Sequence, residues 1–107
     1  MSAQSIAGGQ LDLLLLAVIS RGPIHGYAII DALRVRSSGA FDLPEGTVYP
    51  ALYRMERTGL IKSRTKTVEG RSRRLYELNA AGREAVQERR RSWERLASGM
   101  TAVLRGK

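Results

Sequence analysis

The chain has 107 residues, 43% hydrophobic and 26% charged, which is the size and composition of one ordinary globular domain. With no cysteine and one histidine, it excludes disulfide scaffolds, thiolate metal sites, cysteine nucleophiles and multi-histidine metal centres; no metal and no required cofactor are expected. The net charge of +8 points to an anionic partner, and the whole excess follows residue 60: residues 1–60 sum to zero, while 61–78 and 79–107 carry +4 each.

Residues 1–9, rich in Ser, Ala, Gly and Gln, read as a flexible N-terminal arm. Residues 10–20 read as a mostly buried helix stopped by Arg21-Gly22-Pro23. The longest apolar run, 13–19, is too short to cross a bilayer and lacks a basic leader, so no membrane role is expected and a cytoplasmic protein is. A second helix is predicted over 25–35, with Tyr27, Ile30 and Leu33 joined by Ala28, Ile29 and Ala32 in an apolar stripe, and Ser37-Ser38-Gly39 ends it. The third begins near Pro44-Glu45 and runs through Val48, Leu52 and Met55 to Thr58-Gly59. Pro50 must lie in or near its first turn, or it kinks the axis.

From Leu60 the period becomes strand-like, with Lys62, Arg64 and Lys66 on one face of the stretch 61–68. Glu69-Gly70-Arg71 makes a turn and 73–78 returns as a second strand. Asn79 caps a final helix in which Val86, Arg89, Trp93, Leu96, Met100 and Val103 recur at alternating spacings of three and four. That is a heptad seam with one polar interruption, suited to pairing with a second copy. The fold class is therefore mainly α with a β-hairpin wing: a winged helix-turn-helix over 10–78 and a C-terminal dimerisation helix over 79–107.

In that architecture the third helix enters the major groove and the hairpin reaches the neighbouring backbone. Lys62, Arg64, Lys66, Arg71, Arg73 and Arg74 group cations on or beside one hairpin, as a phosphate-binding surface on double-stranded DNA requires. The competing reading is a solvated edge strand protected by charge. Arg54, one to two turns along the third helix, has two open readings, a phosphate contact and a solvated helix face. Tyr27 and Tyr76 are read as core aromatics and His25 as structural. Arg89-Arg90-Arg91 is read as a solvated face, with a second DNA or nucleotide contact as its alternative. No Walker loop, Rossmann fingerprint or carboxylate pair suggests an enzyme.

The residues then resemble the PadR family of bacterial transcriptional regulators. The resemblance is carried by Arg21-Gly22-Pro23-Ile24-His25-Gly26-Tyr27, Gly46-Thr47-Val48-Tyr49-Pro50-Ala51-Leu52 and Glu56-Arg57-Thr58-Gly59-Leu60-Ile61. It continues through Gly70-Arg71-Ser72-Arg73-Arg74-Leu75-Tyr76-Glu77-Leu78 and Ala81-Gly82-Arg83 in the same order. It covers roughly residues 10–96, and the short ending is similar to the branch with a single C-terminal dimerisation helix. The resemblance implies a homodimeric repressor on an inverted-repeat operator, released by a small effector. It places Thr47, Tyr49 and Pro50 at the DNA-facing start of the third helix and Arg71, Arg73 and Arg74 in the wing. It also implies that Trp93 stacks on flat aromatic ligands, with Leu16, Ala97 and Met100 lining the same space, although Trp93 also suits a packing knob. One departure stands out. Where the family has a Ser or Thr cap followed by Pro, this chain has Pro44 then Glu45. A rival function is a winged-helix protein-interaction adaptor without specific DNA binding; a basic peripheral membrane helix is a weaker one.

Overall fold

The computed structural model describes residue 6 and residues 8–106. Its elements are α1 (Gly8–Ile19), β1 (Ile24–His25), α2 (Gly26–Arg36), α3 (Glu45–Arg57), β2 (Ile61–Val68), β3 (Arg71–Leu78) and α4 (Ala80–Leu104). Because α1 is apolar on nearly every side, it becomes the central helix: Leu11, Leu15, Leu16, Val18 and Ile19 are all buried. Gly8 and Gly9 already belong to this helix, and Ile6 packs partly against the core. The rest of the arm expected over 1–9 lies outside the described residues.

Against α1 pack Ile29 and Leu33 of α2, and Val48, Ala51, Leu52 and Met55 of α3. The stripe read for the second helix is corrected at one end, since Tyr27 is 68% exposed and Ala28 is exposed beside it. Tyr76, in contrast, is buried as expected. Pro44 becomes the N-cap of α3 in extended backbone with no side-chain cap, and its carbonyl accepts from the amides of Thr47 and Val48 at 3.0 and 3.2 Å. Pro50 is the sixth helical residue rather than a first-turn one. Its missing N–H deprives the Gly46 carbonyl of a helical donor, and Gly46 is exposed, so solvent is available to it.

The sheet is antiparallel in the order β1-β3-β2. Residues 24–25 form the short edge strand β1, where no strand was expected, and Ile24 pairs with Tyr76 and His25 with Leu75. In the hairpin Val68 pairs directly with Arg71, so the turn has two residues and β3 starts at Arg71, two positions earlier than the sequence period indicated. Glu69 and Gly70 both take positive φ, 52° and 77°, the pattern of a type I′ turn, which matches the twist of its flanking strands.

α4 is anchored at its start. Asn79 Oδ1 accepts from the Gly82 amide at 2.9 Å, and Asn79 Nδ2 donates to the Gly59 carbonyl at 2.7 Å. A Cβ on Gly82 would collide with the Leu60 carbonyl, so glycine is what lets the helix sit against the start of β2. Val86, expected on the dimer seam, is instead 2% exposed in the protomer's own core. The expectation is corrected because the first turns of α4 lie over α1 and β3, which claim that face. Beyond Arg89 the helix runs free of the body, and only Ala97 is even half-buried.

Candidate nucleic-acid interface

α3 exposes two side-chain rows. Pro50 and Arg54, with the half-buried Thr47, form one; Tyr49, Tyr53 and Arg57, four residues apart, form the other. Between the second row and the wing lies a groove of about 560 Å³ lined by His25, Gly26, Tyr27, Tyr49, Tyr76 and residues 71–74. Tyr49 is held there by Gly26. A Cβ at position 26 would stand 2.5 Å from Tyr49 Cε1, so this residue must lack one for the ring to lie against the start of α2. Partial burial and the nearby Glu45 carboxylate push the Tyr49 phenol above the ordinary tyrosine value, so near neutral pH it is a hydroxyl able to donate.

The wing divides its cations. Cross-strand pairing puts Lys62, Arg64, Lys66, Arg71 and Arg73 on one face, and Arg74 on the other with Ser63 and Tyr76. Glu77 draws on two of them, 3.9 Å from Lys62 and 3.7 Å from Arg64. Lys66 and Arg73 stand directly opposite one another, like charges in a register that disfavours them. Among the described residues no carboxylate lies within ion-pair distance of Lys66, Arg71 or Arg73. Arg74 is engaged within the protomer. It donates to Ser63 Oγ at 2.8 Å, and Ser63 donates to Glu56 Oε2 of α3 at 2.7 Å, so a relay joins the wing to the third helix. The His25 Nδ1, 3.4 Å from the Arg74 carbonyl oxygen, adds a second tie from β1 in the tautomer that carries its proton there.

Arg54 has a partner that neither of its sequence readings included. Its guanidinium is neither free nor merely solvated, because it grips Asp12 of α1 with two hydrogen bonds of 2.8 and 2.9 Å. That bond and the Asp12 charge push its pKa still higher. Arg89 approaches the same carboxylate at 3.8 Å, so part of the side chain read onto the seam is turned to the protomer's own body. Of the expected effector lining, Leu16 is sealed in the core, and Ala97, one turn beyond Trp93, is half-buried. Trp93, Leu96, Met100 and Val103 remain exposed at 45, 52, 54 and 77%.

Sequence reading missed His25, Tyr27, Tyr53 and Arg57 as members of this surface. For Tyr53 and Arg57 the signal was present, since they continue from Tyr49 at four-residue spacing. The Arg57 guanidinium carbon lies 5.7 Å from the Tyr53 ring centroid, a cation–π contact that stiffens the pair. For His25 and Tyr27 there was none, because only β1 pairing turns that stretch towards the wing.

A three-helix body with a cationic two-stranded wing and a long terminal helix defines a winged helix-turn-helix regulator. The sequence profile of the Transcriptional regulator PadR-like family matches residues 15–88, and the chain belongs to that family. It is 40% identical over 74 residues to Transcriptional regulator Rv3488 of Mycobacterium tuberculosis, a match covering 69% of this chain and 66% of that relative. Among solved structures it is similar to a PadR-like transcriptional regulator from Bacillus cereus, with TM-score 0.81 and 29% identity over 92% of this chain and 95% of the other. A PadR family transcription regulator from Clostridium difficile superposes with TM-score 0.76 at 32% identity, covering 88% of this chain and 97% of that one.

Proposed function

We propose that the chain is a homodimeric, non-enzymatic repressor that binds double-stranded DNA at an inverted-repeat operator in the cytoplasm. The observation that carries this reading is the Lys66–Arg73 cross-strand pair. Two cations held face to face, with Arg71 beside them and no carboxylate in ion-pair range among the described residues, are relieved by a polyanion. The exposed rows of α3 supply the reading side. Thr47 and Tyr49 offer hydroxyls to phosphate or base edges, Pro50 offers apolar contact, and Tyr53 and Arg57 extend the surface. Lys62 and Arg64, shared with Glu77, are secondary phosphate contacts, and Arg74 holds the wing in place.

Dimerisation is assigned to the outer half of α4, where Trp93, Leu96, Met100 and Val103 present an apolar strip to solvent. A flat aromatic effector is assigned to the exposed Trp93 ring, with Met100 beside it, as the family resemblance implies. The test is a titration of the protein into duplex DNA from upstream of its own gene at several salt concentrations, with Trp93 fluorescence and DNA anisotropy followed together. We expect one dimer per site, preference over scrambled sequence, and half-sites about 10 bp apart centre to centre. Arg73→Ala should weaken binding to all sequences and reduce the salt slope by about 0.9 per half-site. Weak binding indifferent to sequence and salt would favour the protein-interaction adaptor instead.

A further inference from the structure

One carboxylate outside the groove is shared by three helices. Asp12 of α1 is 8% exposed, and Arg54 of α3 binds both of its oxygens, Nη1 to Oδ2 at 2.9 Å and Nη2 to Oδ1 at 2.8 Å. From α4, Arg89 Nη1 lies 3.8 Å from Oδ2, about 1 Å beyond a good hydrogen bond. Among the described residues it is the buried side-chain nitrogen that has no hydrogen-bond partner. A small approach of α4 to α1 would bring Arg89 Nη1 within hydrogen-bond range of Oδ2, the oxygen that Arg54 Nη1 already holds, so two like-charged guanidiniums compete for one carboxylate. Burial strengthens the competition. A carboxylate in this position has to keep a cation, whereas either arginine can leave, because the side chains of Arg54 and Arg89 are 51% and 39% exposed.

We propose that Asp12 is an exchangeable latch: it holds Arg54 in this state, and a shift of α4 that seats Arg89 on the carboxylate releases the Arg54 guanidinium to a DNA phosphate. Arg54 shares a row of α3 with the exposed Pro50 and the half-buried Thr47, so the released cation emerges on the surface assigned to DNA. The release half of the proposal rests on the DNA-binding reading above and adds regulation to it. Whatever moves α4, a second copy or a ligand beside Trp93, changes the number of cations α3 presents.

Two measurements on the full chain test this. The first is equilibrium unfolding of Arg54→Met, Arg89→Met and their double variant, each in the wild-type and Asp12→Asn backgrounds. Partner exchange predicts that either arginine alone satisfies Asp12. The double variant should then lose at least tenfold more in its folding equilibrium constant than the product of the single losses, and Asp12→Asn should erase that excess. Single effects that multiply to within about twofold overturn the exchange. The second is the salt dependence of binding to the upstream duplex. Asp12→Asn, which unlatches Arg54 without changing side-chain shape, should steepen the log K against log salt slope by about 0.9 per protomer, and adding Arg54→Met should restore it. An unchanged slope overturns the release. A wild-type protein that binds no duplex overturns the DNA reading and the release together, and the unfolding cycle still decides the exchange by itself.

Discussion

The two halves of α4 carry one hydrophobic period and meet opposite fates. In the inner half Gly82 and Val86 are buried against Leu60, β3 and α1, and Arg89 turns to Asp12. In the outer half Trp93, Leu96, Met100 and Val103 continue the same spacing into solvent. A 25-residue helix is about 37 Å long, more than the three-helix body can cover, so the inner turns bind the body and the outer turns project. The lesson is that a heptad identifies a sticky face without naming its occupant. The inner half has found its occupant within the protomer, and the outer half still needs one.

That contrast is open to direct attack. The largest effect should come from charging the outer half: Leu96→Glu with Met100→Glu should weaken self-association at least a hundredfold, about 2.7 kcal/mol, as read by sedimentation equilibrium. Far-ultraviolet circular dichroism should show the fold intact, and a dimer that persists would remove the outer half from the interface. The inner half is challenged by Gly82→Ala, which forces a methyl group onto the Leu60 carbonyl; urea unfolding should show a loss of about 1–3 kcal/mol. Equal sensitivity of dimerisation and stability to both changes would dissolve the distinction between the halves.

A third comparison sets the groove against the core. Gly26→Ala displaces the Tyr49 ring, a side chain free to move outward, so stability should fall by under about 1 kcal/mol while operator affinity drops roughly tenfold. Anisotropy against operator and scrambled duplex measures it, and a loss confined to stability would take Tyr49 out of the reading surface. The smallest effect concerns alkaline pH. Burial raises the Tyr76 phenol, outweighing the opposing pull of the Arg74 cation. The folded state therefore favours the neutral form, and its stabilising contribution is whole below the unfolded value of about 10 and lost as pH rises beyond it. Tyr76→Phe should flatten that alkaline limb in thermal melts between about pH 9 and 11 and leave neutral-pH stability nearly unchanged.

Much of the fold was legible because local chemistry and global packing agree. The α1 run is apolar all round, Asn79 stands where a cap is needed, and residues 61–68 alternate as a strand must. What escaped reading was non-local. The two-residue strand at Ile24 and His25 carries no period of its own and exists because Tyr76 and Leu75 lie alongside. Tyr27 looked like part of the α2 stripe because side-chain type does not reveal that α2 turns its first residues to a solvent-lined groove. Arg54 looked like a free cation because its partner lies 42 residues earlier in the chain.

The candidate site followed the same division. The cationic hairpin and the Thr47-to-Pro50 segment were visible in sequence, since charge and turn chemistry are properties of short segments. The split of the wing cations between Glu77, the Ser63 relay and the unpaired Lys66–Arg73 register was not.

By itself, then, the amino-acid sequence determined the class of this protein: helices ended by glycine and proline, a hairpin whose alternation segregates charge, and a long capped helix with a seam. These depend on interactions among residues a few positions apart. Only the tertiary structure decided which cations remain available and which half of α4 stays open. Both are settled by what lies across the core, where the carboxylate of α1 meets arginines of α3 and α4, and distance along the chain carries no information about that meeting.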